Sequence, residues 1–99
     1  MHIKKQGFYN IVNNAKSIEI RRKSKFTDSL KNSECITFKY NNITCSKKII
    51  KITDINNIRE YLEKIDIVKT GYNTIYEYIT RLQHCYKHIN NKQFVAFLF

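Results

Sequence analysis

Apolar residues along this chain recur with two periods, the 3.6-residue period of a helix and the two-residue period of a strand, and the switches between them mark its elements. Phe8, Ile11, Val12 and Ala15 stand at i, i+3, i+4 and i+7, which predicts a short amphipathic helix over Gln6 to Asn14, with room for a first strand at His2 to Lys4 before it. From Ser17 to Arg22 the pattern alternates. Ile18 and Ile20 take one face, and Ser17, Glu19 and Arg21 take the other. A charged connection from Arg22 to Asn32 follows, with Phe26 and Leu30 as its apolar anchors. Cys35 to Tyr40 alternates again, Asn41-Asn42 supplies a turn that tolerates left-handed backbone, and Ile43 to Thr53 is expected to return as one long antiparallel strand.

The second half changes period. Ile55, Ile58, Tyr61, Leu62 and Ile65 predict a helix capped by Thr53 or Asp54 and ending before Lys69-Thr70-Gly71. Thr74-x-x-Glu77 is a capping-box pattern, and Ile75, Tyr76, Ile79, Leu82 and Tyr86 form one stripe, so a further helix is expected from Ile75 to Lys87. The segment Phe94 to Phe99 is apolar on both faces, the mark of a strand in the middle of a sheet. The order β-α-β-β-β-α-α-β predicts an α+β fold, a mixed sheet curled into a barrel and flanked by helices. A chain of 99 residues holds one such domain, spanning 1–99.

Composition then narrows the function. Eighteen Lys and Arg against eight Asp and Glu give a net charge of +10, a positive field that suits a polyanionic partner. An AT-rich coding bias would supply many lysines without a binding role, but it does not account for the scarcity of acids. Seven Tyr and six Phe supply enough aromatic surface for a core and argue against disorder. The N-terminal Met1 to Gln6 has no apolar run behind its charges and no stretch reaches spanning length, so neither a leader nor a membrane location is expected. Three cysteines without a C-x-x-C pair point to a reducing compartment, cytoplasm or nucleus. His84, Cys85 and His88 are too few ligands for zinc, so no metal and no cofactor is expected. Cys35 and Cys45, on neighbouring strands of the predicted hairpin, read as small buried thiols.

Lys16, Glu19 and Arg21 are the candidate site. Glu19 and Arg21 share a strand face and Lys16 enters it from the helix end, so a carboxylate stands between two cations. The cluster could decorate a solvated strand, or it could direct Arg21 at a phosphate or base edge, with Lys16 as a second charge and Ser17 as a neutral donor. Arg22, Lys23 and Lys25 extend the basic run, and Lys47, Lys48 and Lys51 add charge on the long strand as non-specific phosphate contacts. Tyr40, Tyr72 or Tyr76 at a cleft edge could stack on a base.

The run Ala15-Lys16-Ser17-Ile18-Glu19-Ile20-Arg21 resembles the signature of the ASCH branch of the PUA-like superfamily, in which a helix ends at Gly-Lys-Lys-Thr and a strand begins x-Glu-x-Arg. The resemblance continues through Leu30 to Phe38, Ile55 to Glu63, Gly71 to Tyr78 and Val95 to Phe99. Two departures stand out: Ser33-Glu34 replaces the family's Gly-Asp, and Asn14-Ala15 replaces the Gly before the Lys motif. The resemblance implies a PUA-like β-barrel with a cleft lined by the Lys-x-x-Glu-x-Arg residues, and RNA as the partner. It also implies an alternative, a metal-independent hydrolase on RNA or a modified nucleoside. Glu19 would then be general base toward a 2'-hydroxyl, with Lys16 or Arg21 stabilising charge on phosphorus. A related branch that hydrolyses acetylcytidine uses a Lys, a Thr and a later Glu. The Lys falls on Lys16, but the Thr falls on Glu19 and no acid lies in Val68 to Asn73, which speaks against that activity. A third expectation is a protein-interaction domain whose charge is compositional.

Overall fold

The computed structural model describes residues 1–99. Five strands and four α-helices follow in the order α1 (Lys5–Val12), β1 (Ile18–Arg22), α2 (Lys25–Ser29), β2 (Cys35–Tyr40), β3 (Ile43–Lys48), β4 (Lys51–Ile55), α3 (Ile58–Lys64), α4 (Ile75–Cys85) and β5 (Phe94–Leu98), with 3-10 turns at Ile67–Thr70 and Ile89–Asn91. The architecture is α+β. Its ladders are antiparallel: a three-stranded sheet β1-β5-β4 and a two-stranded hairpin β2-β3. No closed barrel forms. The only parallel pairing is a single bridge between His2 and Lys39, which is all that remains of the expected first strand.

β5 is central, as its two apolar faces require. Phe94 and Ala96 enter a cluster with Ile18, Ile20 and the residues of α3 and α4, while Val95 and Phe97 enter a second cluster with Phe8, Ile11, Ile36, Phe38 and Ile49. One strand thus serves two cores, and neither face tolerates a polar side chain.

The expected long strand over Ile43 to Thr53 is broken at Ile49-Ile50. The Ile49 N–H donates to the Glu34 carbonyl at 2.8 Å, on the hairpin side, and the next N–H, of Ile50, donates to the Leu98 carbonyl at 2.7 Å, on the other sheet. Ile49 is buried, Ile50 and Lys51 are both exposed, and Ile52 packs on the same core as Ile49, so the side-chain alternation slips by one residue where the chain changes partner. The helix expected from Thr53 or Asp54 begins later for a related reason: both residues are held in β4, opposite Ala96 and Val95, and Asn57 caps α3 instead. Ile55 therefore belongs to the strand. Thr74 caps α4 as predicted, accepting from the Glu77 N–H at 3.1 Å, but the helix ends at Cys85, before Lys87.

The charged connection contains an unforeseen helix, α2, closed at its start by a reciprocal Ser24–Thr27 capping box. It buries Thr27 and leaves Phe26 half-exposed, so Phe26 is not the anchor its apolarity suggested. Leu30 does pack on the second cluster. No helix is long and apolar enough to cross a membrane.

Candidate functional site: a cationic cleft around Glu19

The connection from α1 to β1 positions Lys16. Asn14 adopts a left-handed backbone at φ 64°, the Lys16 N–H donates to the Asn10 carbonyl at 2.8 Å, and the Ser17 N–H donates to the Lys69 carbonyl at 2.9 Å. Lys16 is thereby folded back beside the strand it precedes, its Nζ lying 3.2 Å from Glu19 Oε2. Arg21, two residues along the same face, places Nε 3.5 Å from Glu19 Oε1 and donates through Nη2 to the His2 carbonyl at 3.1 Å. The expected three-residue cluster is therefore assembled, but it is not a solvated strand face. The Glu19 side chain is only 7% exposed.

Proximity here is not satisfaction. Glu19 Oε2 and Arg21 Nε are buried and make no hydrogen bond, although each stands at ion-pair distance from an opposite charge. A buried carboxylate oxygen and guanidinium N–H that make no hydrogen bond are rare, and they mark this cluster as one not built for stability alone. Lys16, Glu19 and Arg21 are all lining residues of a cavity of about 460 Å³.

Around them the cavity is cationic and aromatic. Lys4, Lys16, Arg21 and Arg81 line it, and Glu19 is its one carboxylate. Tyr72 and Tyr78 stack with ring centroids 4.3 Å apart. Burial pushes the Tyr78 phenol far above its ordinary value, helped by the nearby charge of Glu19. Burial also raises Tyr72, opposed by the adjacent Arg81. Both phenols are neutral hydrogen-bonding groups at physiological pH.

The remaining sequence candidates divide. Ser17 contributes backbone bonds, donating to Lys69 and accepting from Phe99, and its side chain does not line the cleft. Arg22 lines a second cavity next to the first. Lys23 is held by two carboxylates, Asp28 at 3.0 Å and Asp54 at 3.4 Å, which raise its pKa and neutralise it as a phosphate contact. Lys25 is exposed at the start of α2, outside the cleft. Lys47 and Lys48 lie on β3, also outside it, and Lys47 donates to Asn14 Oδ1 at 2.9 Å.

Of the tyrosines considered for stacking, Tyr72 is at the cleft, Tyr40 packs against Phe8 and Tyr9, and Tyr76 is exposed elsewhere. His88 lies beyond the end of α4 in a left-handed conformation, so it has no helical i, i+4 relation to His84, and no three His, Cys, Asp or Glu gather as a metal site. Cys35 opposes Lys48 and Cys45 opposes Phe38, so the two thiols do not face each other. Cys35 is exposed rather than buried.

Sequence reasoning missed Arg81 and Lys4. The signal for Arg81 was present: Tyr78, Arg81, Leu82 and Cys85 stand at i, i+3, i+4 and i+7 on α4 and line the cleft together. Its mixture of aromatic, basic and apolar residues hid it beside the more uniform core stripe.

Fold and site define a small α+β domain with a cationic, tyrosine-lined cleft. No family model matches the chain, and no curated protein does. The crystal structure of hypothetical protein PH0355 is similar to it with a TM-score of 0.82 and 22% sequence identity, over 99% of this chain and 93% of that one. At that identity the likeness is one of fold, shared across nearly the full length of both chains.

Proposed function

We propose that this protein is an RNA-binding domain of the ASCH branch of the PUA-like superfamily, holding a nucleotide of single-stranded RNA in the cleft around Glu19. The observation that carries this reading is the Lys16–Glu19–Arg21 cluster, a carboxylate beside a guanidinium on the wall of an otherwise cationic, tyrosine-lined cavity. An acceptor beside a donor suits the edge of a nucleobase, which presents the reverse arrangement. A phosphate alone does not suit that position, because the carboxylate would repel it. Phosphate is better matched by Lys4 and Arg81, which no acid pairs, and the cavity is of ordinary size for a small-molecule ligand.

Two backbone features support the family reading. Asn14-Ala15 and Ser33 stand where the ASCH pattern has glycines, and Asn14 and Ser33 adopt the left-handed conformation at φ 64° and 72° that favours glycine. In this reading the two ladders, joined at Ile49-Ile50, are an open form of the PUA-like barrel.

The test is fluorescence-anisotropy binding of the wild type and of K16A/R21A to single-stranded RNA, double-stranded RNA and DNA across a salt series, with circular dichroism to verify folding. The reading expects a preference for single-stranded RNA that the variant loses. Equal binding of all three polyanions by both proteins would overturn it. Shortened RNA in the same samples, abolished in E19Q, would instead turn the reading to the metal-independent ribonuclease.

A further inference from the structure

A second cavity, of about 340 Å³, adjoins the cleft. It shares His2, Arg21 and Tyr86 with the first, so Arg21 belongs to both walls. Its other lining residues include Arg22 and Phe26, and none of the eight is acidic. Phe26 is 52% exposed on a chain whose other phenylalanines are buried or nearly so. A half-exposed aromatic ring beside a guanidinium in no ion pair, with no acid in the lining and the neighbouring Asp28 and Asp54 engaged by Lys23, is the equipment of a stacking platform with a phosphate clamp.

We infer that this second cavity is a subsite for the neighbouring nucleotide of the same RNA strand. Its base stacks on Phe26, its phosphate meets Arg22, and Arg21 spans the junction between the two nucleotides. The inference rests on the cleft being a nucleotide site and goes beyond it: the ligand is a strand read at two consecutive positions, not a free mononucleotide. Local structure fits this use. Ser24 and Thr27 cap one another reciprocally, with the Ser24 N–H donating to Thr27 Oγ1 at 2.8 Å, and this box fixes the short helix that presents Phe26. Lys23, the adjacent cation, is turned away into its pairs with Asp28 and Asp54, leaving Arg22 as the local phosphate contact.

The experiment compares a 5'-mononucleotide with a single-stranded tetranucleotide of the same base, on the wild type, F26A and F26W, at one fixed ionic strength. Affinity is read by calorimetry and binding position by amide shifts in NMR spectra. The subsite predicts that F26A weakens tetranucleotide binding on the order of tenfold and leaves mononucleotide binding within about twofold, whereas F26W retains the tetranucleotide affinity. Because Phe26 carries no charge, the loss cannot come from removing a phosphate contact. The amides of Phe26 and Thr27 should shift with the tetranucleotide and stay still with the mononucleotide. If F26A binds both ligands as the wild type does, the subsite is wrong and the cleft reading stands. If the wild type binds neither ligand, both fall together.

Discussion

Gly71 stands against the aliphatic stem of Lys16: a Cβ added to the glycine would lie 3.5 Å from Lys16 Cδ and 3.7 Å from Asn10 Nδ2. Those are ordinary contact distances, so the position has room for a methyl group. Its backbone is the obstacle, since φ is 91° and ψ is 0°, where an L-residue is strained. G71A should therefore cost about 1–2 kcal/mol and lower the melting temperature by roughly 4–8 °C per kcal/mol, with G71N losing less because Asn tolerates left-handed backbone. Thermal melts followed by circular dichroism measure both. Because the methyl group fits, folded G71A should keep the cleft's ligand affinity.

Glu19 tests whether the buried cluster serves stability or binding. E19A leaves Lys16 and Arg21 facing each other without their carboxylate, and a loss of about 1–3 kcal/mol is expected, less than for a fully buried pair because Arg21 is one-third exposed. Replacing all three by apolar residues of similar size, K16M/E19L/R21M, should restore or exceed wild-type stability while abolishing ligand binding, since it removes the desolvation cost of a buried ion cluster whose hydrogen bonds are incompletely made. Urea denaturation and the anisotropy assay, run on the same samples, separate the two quantities. A triple variant clearly less stable than E19A would mean that the cluster is structural.

Much of this was legible in the residues, and the rest failed for identifiable reasons. Apolarity on both faces of Phe94 to Phe99 marked the central strand because no other environment accepts it. Lys16, Glu19 and Arg21 were found as a face, but their burial was not, because strand alternation assigns the polar side to solvent until something covers it. Here α1 and α4 supply opposing walls of the cavity. The break at Ile49-Ile50 is a one-residue slip in the alternation, two adjacent isoleucines followed by Ile52 on the inner side, which the reading of one long strand passed over. Phe26 looked like an anchor because hydrophobicity alone does not distinguish a core ring from a surface one.

That break yields its own prediction. Ile49 is 1% exposed and enters the second core at the crossing between the sheets, whereas Ile50 is 72% exposed. I49A should destabilise the protein by about 2–5 kcal/mol through the cavity it leaves. I50S should stay within roughly 0.5 kcal/mol of the wild type. Chemical denaturation midpoints of the two variants check the contrast between these neighbouring isoleucines.

Alkaline pH probes the cleft from beneath. Burial raises the phenols of Tyr61, Tyr72 and Tyr78 in the folded protein, so the native state holds these protons more tightly than the unfolded chain. Their contribution to stability is complete below the unfolded tyrosine value of about 10 and is lost as pH rises above it. For Tyr78, which stays protonated longest, the loss approaches about 1.4 kcal/mol per pH unit. Y78F retains the ring and has no proton to lose, so its stability should fall less steeply than that of the wild type above pH 10. Parallel slopes would remove Tyr78 from the account.

Salt dependence distinguishes cations that meet the ligand from those already engaged. Arg81 lines the cleft and forms no ion pair with an acid, while Lys23 stands between Asp28 and Asp54. Each phosphate contact contributes about 0.7 to the slope of log affinity against log salt for a single strand. R81Q should therefore weaken RNA binding and flatten that slope by about one contact, whereas K23Q, which removes the same formal charge, should leave the slope unchanged. A net charge of +10 acting only as a diffuse field would make the two substitutions equivalent. Anisotropy titrations of both variants over a salt series decide between a built cleft and a generally basic surface.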